Sequence, residues 1–241
     1  MLLMILGTLL FNSFALFLLL LRPRLFRVKL FAPMIYNFKL SILPGFILIS
    51  TLFLQLFLGW LSSTKKHDLF FILSVIITGI GLCIWFLMLP NSGYLVTELN
   101  LTHREVDSKE VPIWYDIISV LSLAISGVLN TALNIVMLQL IYLILIDPVD
   151  ISQLNTVPFW LFTWFSFFLI SFGIYLGRYI RFYSWDLLHP KSFYTKLISH
   201  FSIKKNCVNG ILFTFFYGIF FSLIYVMTFL NPLLKLFLDK K

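Results

Sequence analysis

The chain has 241 residues and a mass of 28.2 kDa; 60% of it is apolar, 12% is charged, and Phe alone occurs 28 times. Soluble proteins average about 45–50% apolar and about 25% charged residues, and a fold this small leaves too much surface exposed to hide the excess. A soluble enzyme, a disordered chain and a fibrous repeat are excluded; the expected fold is all-α, a polytopic integral membrane protein of about six transmembrane helices in one domain, 1–241. The net charge of +8 does not indicate a nucleic-acid partner, because the charges lie in short segments between apolar runs, as the positive-inside effect requires.

Six apolar runs are long enough to span: Leu2–Leu21, Ser41–Leu61, Leu69–Leu89, Ile113–Ile146, Pro158–Phe182 and Val208–Leu230. A spanning helix needs about 20 residues. Lipid offers no partners to the backbone, so such runs are helices, and none shows the alternation of a membrane barrel. The first run has no Lys or Arg before it and is followed by Arg22, Arg24, Arg27 and Lys29. That is the reverse of a signal peptide's order, so a retained helix with its N-terminus outside is expected.

Six spans place residues 22–40, 90–112 and 183–207 on one side. With Arg178 and Arg181, that side holds 13 of the 18 Lys and Arg. It is therefore expected to be cytoplasmic, with both termini outside. The motif-bearing loops at about 90–116 and 178–207 then share one membrane face.

The fourth run is 34 residues long. As a straight helix it measures about 51 Å against a hydrocarbon core of about 30 Å, so it either tilts and protrudes or breaks near Gly127. It carries Asp116, Ser119, Ser122, Ser126, Asn130 and Asn134, which at about 100° per residue fall within an arc of about 120°. Lipid would reject that face. It meets either another helix, through interhelical hydrogen bonds, or a polar path. The fifth run carries Gly173 and Gly177 as G-x-x-x-G, a spacing that lets another element approach closely; the polar face of the fourth run is the expected partner. Pro190–Phe201 has the spacing of a short helix lying on the membrane, with Phe193, Leu197 and Phe201 four residues apart and Lys191 and Lys196 nearby. The two cysteines, Cys83 and Cys207, are isolated and fit no metal or redox spacing, and the sequence leaves any cofactor unknown.

Chemistry concentrates at one face. Arg178 and Arg181 lie three apart at the end of the fifth run, where their guanidinium groups can grip phosphate or carboxylate. Asp186 and His189 follow, with Trp185 beside them. The loop before the fourth run contributes Asn91, Glu98 and Asp116. The candidate catalytic acids are Asp186, Glu98 and Asp116; the candidate ligand-binding residues are Asn91, Arg178, Arg181, Trp185 and His189. Acids and bases in one partly desolvated place perturb each other as functional sites do. The plain alternatives are that the arginines snorkel to lipid phosphates with Trp185 in the interfacial belt, or that Asp116 and Asp186 neutralise Arg178 and Arg181 so that helix ends pack.

These stretches resemble the bacterial membrane proteins of the family called domain of unknown function 1361. The resemblance rests on L-P-N-x-x-Y-x-x-T-E at Leu89–Glu98, P-x-W-Y-D at Pro112–Asp116, F-G-I-Y-L-G-R-x-x-R-x-x-S-W-D at Phe172–Asp186, and an earlier Asn37-Phe38-x-Leu40 with Pro44. The chain departs from the family pattern at Glu98 and Tyr183, where Asp and Asn are expected. The resemblance implies a bacterial inner-membrane protein and no particular activity. Three functions remain open. The first is a binding or accessory protein gripping an anionic head group or a membrane-protein partner. The second is an intramembrane enzyme acting on a lipid-linked or phosphorylated substrate, although no known catalytic signature is present. The third is a small-solute carrier using the polar face of the fourth run. The partners expected are membrane lipids, with a membrane protein as the other candidate, and no nucleic acid.

Overall fold

Residues 2–65, 68–99, 111–146, 156–182 and 189–230 are described by a computed structural model. All regular structure among them is helical. Six helical stretches are long and apolar enough to cross a membrane. They are built from α1 (Leu2–Phe26), α2 (Ala32–Lys65), α3 (Asp68–Met88) continued by short α4 (Pro90–Gly93) and a 3₁₀ segment (Tyr94–Leu99), α5 (Ile113–Ile146), α6 (Val157–Tyr175) with a π turn (Leu176–Ile180), and α8 (Lys204–Tyr225) with a second π turn (Val226–Leu230). The remaining helix, α7 (Pro190–Phe201), has the bounds expected of the surface helix.

Helix α5 is the centre of the bundle. In its most apolar stretch 72% of residues are buried, against 17–33% in the other five spans. It runs unbroken from Ile113 to Ile146, so Gly127 is not a break. What Gly127 does is admit a neighbour: a Cβ there would lie 2.9 Å from Leu95 and 3.1 Å from the Ser92 carbonyl. Around α5, α2 packs on α3, α6 on α8, and α1 on α5 itself. The outward faces keep large apolar side chains such as Phe46, Phe53, Ile80, Phe165 and Phe216 exposed, as a lipid-facing belt requires.

All six polar residues expected on one face of α5 are buried, and four of them, Asp116, Ser126, Asn130 and Asn134, bond side chains of other helices. Asn12 of α1 and Asn130 form a reciprocal amide pair, Nδ2 to Oδ1 at 2.7 Å and 3.1 Å. Ser126 donates to the same Asn12 oxygen. Asn130 also donates to Ser41 Oγ of α2 at 3.0 Å, and Ser41 donates to the Ser92 carbonyl at 2.8 Å. Asn134 accepts from Trp85 Nε1 of α3 at 2.9 Å. One turn further along, Gln139 donates to Thr163 of α6 and accepts from Tyr225 of α8, both at 2.8 Å. A polar column thus ties α5 to α1, α2, α3, α6 and α8. It is the interhelical hydrogen-bonding outcome of the two that the pattern allowed.

The third span departs most from expectation. The apolar run ends at Leu89, and residues 90–99 would be read as loop. Pro90 lacks the N–H that would continue α3, but the chain does not leave the bundle. It steps sideways into α4 and the 3₁₀ segment, burying Ser92, Gly93, Leu95 and Val96. Leu95 sits against Phe38, Val120 and Leu123. Gly93 is needed for this step: a Cβ would come within 2.8 Å of Phe221 and 2.9 Å of Ile174 and of Thr131. The close approach offered by Gly173 and Gly177 is taken up by this same segment and not by the polar face of α5. A Cβ on Gly173 would collide with the Pro90 ring, and one on Gly177 would touch Tyr94 at 3.6 Å.

Candidate functional site at the basic end of the bundle

Helix α1 ends, α2 begins, α5 begins, α6 ends and α8 begins at one end of the bundle, as the side-chain contacts between them require. The described residues at this end carry eleven Lys and Arg and two acids, Glu98 and Asp116. The two acids go to different places.

Glu98 is the meeting point. It stands near the end of the 3₁₀ segment, and its Oε1 accepts from Asn37 Nδ2 of α2 at 3.1 Å. The same oxygen lies 3.6 Å from a terminal guanidinium nitrogen of Arg178. The Tyr94 phenol stands beside Arg178, and the Tyr94 ring rests against Gly177. Asn37, Tyr94–Glu98 and Arg178 belong to three separate motif stretches, brought together here by α2, the 3₁₀ segment and α6. The Glu98 side chain is 13% exposed and that of Arg178 is 33% exposed. The carboxylate is enclosed while the guanidinium remains open on one side. At 3.6 Å the pair is an ion pair outside ideal hydrogen-bond distance, and a guanidinium has five N–H donors.

The local backbone explains Arg178's position. The last turn of α6 is a π turn from Leu176 to Ile180, ended by Arg181 in the left-handed region at φ 60°. Helix ends commonly use glycine there; an arginine costs about 1–2 kcal/mol. The π turn and left-handed end separate the two arginines that helical spacing would have paired. Arg178 turns inward to Glu98. Arg181 is exposed and forms no ion pair among the described residues. Its neighbour Phe182 stacks on Phe193 of α7, ring centroids 4.4 Å apart, with Lys196 over the Phe182 ring.

Asp116 is elsewhere. It is 1% exposed in the first turn of α5 and accepts from Arg22 Nε of α1 at 3.1 Å, in a pair whose arginine is 7% exposed. The adjacent Tyr115 donates to the Leu18 carbonyl at 2.8 Å. Asp116 is thus a buried structural partner of Arg22 and does not join Arg178. In the sequence Arg22 reads only as a loop charge. A buried acid at the start of a central helix needs a cation at the same end, and the end of α1 was the signal that could have found it. Asn91 lies in the α3–α4 step, where its amide faces the Met88 sulfur at 3.5 Å. His189 is exposed just before α7. Trp185 and Asp186 lie outside the described residues.

A second polar group at this end was not foreseen. Tyr175, buried at 1% exposure, donates its OH to the Asn206 carbonyl at 3.0 Å. The same oxygen lies 2.9 Å from His200 Nε2. Since the phenol has one proton, His200 supplies the hydrogen of the second bond and carries its own proton on Nε2. Asn206 Nδ2 closes the loop to the His200 carbonyl at 3.2 Å. This cluster fastens α7 to α6 and α8. Its signal in the sequence was the Tyr inside F-G-I-Y-L-G, which was read only as motif. No group of three or more His, Cys, Asp or Glu that could hold a metal ion occurs among the described residues.

No curated protein and no solved structure matches the chain. One family model does, described as "Protein of unknown function (DUF1361)", and it covers residues 36–224, a range that includes Asn37, Glu98, Asp116 and Arg178 and leaves out Arg22. The chain is therefore a member of this family of proteins of unknown function.

Proposed function

We propose that the protein binds an anionic, phosphate-bearing head group at the site where Asn37, Tyr94, Glu98 and Arg178 meet. The observation that carries this reading is the unequal state of the two charges. Glu98 is enclosed and already held by Asn37, whereas Arg178 has a single loose contact with it and one open side. The donors left over on Arg178 suit a phosphate oxygen. The excess of positive charge at this end supports an anion over a cation. The π turn and the left-handed Arg181 are distortions of a kind that gathers at functional sites.

The basic end then faces the cytoplasm, and the membrane is the bacterial inner membrane, as charge asymmetry and family resemblance suggest. Alkaline phosphatase fused after Lys241 is expected to be active, since both termini would lie outside; an inactive fusion with correctly inserted protein would reverse the orientation. The carrier reading draws less support, because Asn130 and Asn134 already direct their amides to Asn12, Ser41 and Trp85. Catalysis through Asp116 draws less as well, since Arg22 already holds that carboxylate.

The test is a thermal-shift titration of detergent-solubilised protein with sn-glycerol 3-phosphate, and with glycerol as the uncharged control. The phosphate ester is expected to raise the unfolding temperature of wild type by mass action. It should leave Arg178→Ala unmoved. Equal stabilisation of both proteins, or none of wild type at saturating ester, overturns the reading.

A further inference from the structure

We propose that the groove between α6 and α8 is a binding slot for one acyl chain of an anionic phospholipid, with the phosphate held at Lys204. The groove encloses about 300 Å³ and is walled by Phe168, Phe172, Phe201, Ile211, Thr214 and Phe215. It lies in the spanning parts of both helices, so its natural contents are hydrocarbon. Helix α7 adds a wall towards its surface end, where Phe201 stacks against Phe172 with centroids 6.2 Å apart and the groove stays open at its side. That contact needs Gly210, where a Cβ would sit 2.9 Å from Phe201 and 3.1 Å from Tyr175.

The geometry of α8 links the slot to a charge. Ile211 and Phe215 follow Lys204 by seven and eleven residues, so at about 100° per residue they lie within about 20° of its direction. Lys204 is exposed at the head of the stripe that lines the groove. From Lys204 to Phe215 the rise is about 16 Å, close to the thickness of one leaflet's hydrocarbon, about 15 Å. A phosphate at Lys204 would thus put the chain of the same lipid in the slot.

Charge complementarity selects the lipid class. From Val157 to Leu230 the described residues include Arg178, Arg181, Lys191, Lys196, Lys204 and Lys205 and no acid. Lys204 and Lys205 occupy the first turn of α8 with no acidic residue there, a placement the helix dipole opposes and an anion would offset. Helix α7 completes the surroundings. Its Tyr194 and Ile198 remain 64% and 48% exposed on its apolar side, which fits a helix lying at the level of the head groups. This slot is separate from the Arg178–Glu98 site and does not depend on it.

Native mass spectrometry of the whole protein in mild detergent, given phosphatidylglycerol or phosphatidylcholine of identical chains, tests the proposal. Wild type is expected to retain one phosphatidylglycerol per chain, about fivefold over phosphatidylcholine. Lys204→Gln, at an exposed position, should abolish most of that preference. Ile211→Trp, also exposed, fills the slot and should remove retention of both lipids. Arg178→Ala should change neither result, which separates this slot from the head-group site. Unfolding temperatures confirm that each variant is intact, and Thr214→Phe replaces Ile211→Trp if the latter does not fold. Equal retention of both lipids by wild type, or undiminished retention by an intact slot-filling variant, overturns the proposal.

Discussion

The Arg22–Asp116 pair gives a sharp prediction because it separates a structural acid from a catalytic one. Both side chains are almost wholly buried and face each other at 3.1 Å. Removing one partner takes from the other, buried charge the ion pair they share, at a cost of about 3–5 kcal/mol. For a chain of this size, about 2–4 °C per kcal/mol converts that to a fall of roughly 6–20 °C in unfolding temperature. Asp116→Ala and Arg22→Ala should each show it. The double replacement Arg22→Met with Asp116→Leu removes both charges and keeps volume, so it should recover most of the loss. The assay is thermal unfolding in detergent, followed by intrinsic fluorescence and by size-exclusion chromatography. If the double variant lost as much as the sum of the two singles, the residues would be acting independently. The account of Asp116 as Arg22's partner would then fail.

Three further outcomes follow from the packing. Gly173→Ala should destabilise the protein and displace Pro90, whereas Gly177→Ala should be neutral, because only the former meets a ring at colliding distance; equal effects in thermal unfolding would contradict this. Asn130→Leu strips partners from Asn12 and Ser41 and should cost about 1–3 kcal/mol, so an unchanged unfolding temperature would mean that the column is not what ties α1 and α2 to α5. Tyr175→Phe removes the phenol that holds His200 and Asn206. At about 1 kcal/mol, amide exchange in residues 190–201 should quicken about fivefold, and unaltered exchange would show that α7 is fastened by other contacts.

Apolar runs were legible because lipid imposes one simple rule, and Ile113–Ile146 has the same bounds in sequence and structure. Helix ends were less so. Helix α2 begins at Ala32, nine residues before its apolar run, because backbone hydrogen bonding continues past the point where hydrocarbon ends. The segment 90–99 was hidden for a related reason: a proline stops a helix but does not oblige the chain to leave the core. Small Ser92 and Gly93 followed by Leu95 and Val96 were the available sign. At the site, Glu98 and Arg178 do meet, but helical spacing pairs Arg178 with Arg181. A π turn cannot be read from spacing, because it breaks the period on which spacing arguments rest. Asp116 shows the other difficulty. Residues sharing a membrane face need not share a site, and which cation an acid meets depends on the lateral order of the helices, which a single sequence does not encode.

The most direct test of the head-group site is a native mass spectrum of the purified protein beside Arg178→Lys and Glu98→Gln. Lysine keeps the charge but loses the planar fork that holds phosphate in two places. Wild type should carry a discrete additional mass of a phosphate-bearing compound. Arg178→Lys should lose most of it, and Glu98→Gln, which frees the guanidinium, should keep it or bind it more tightly. A wild type without such a mass, or one retained equally in Arg178→Lys, would contradict the proposal that Arg178 grips an anionic head group.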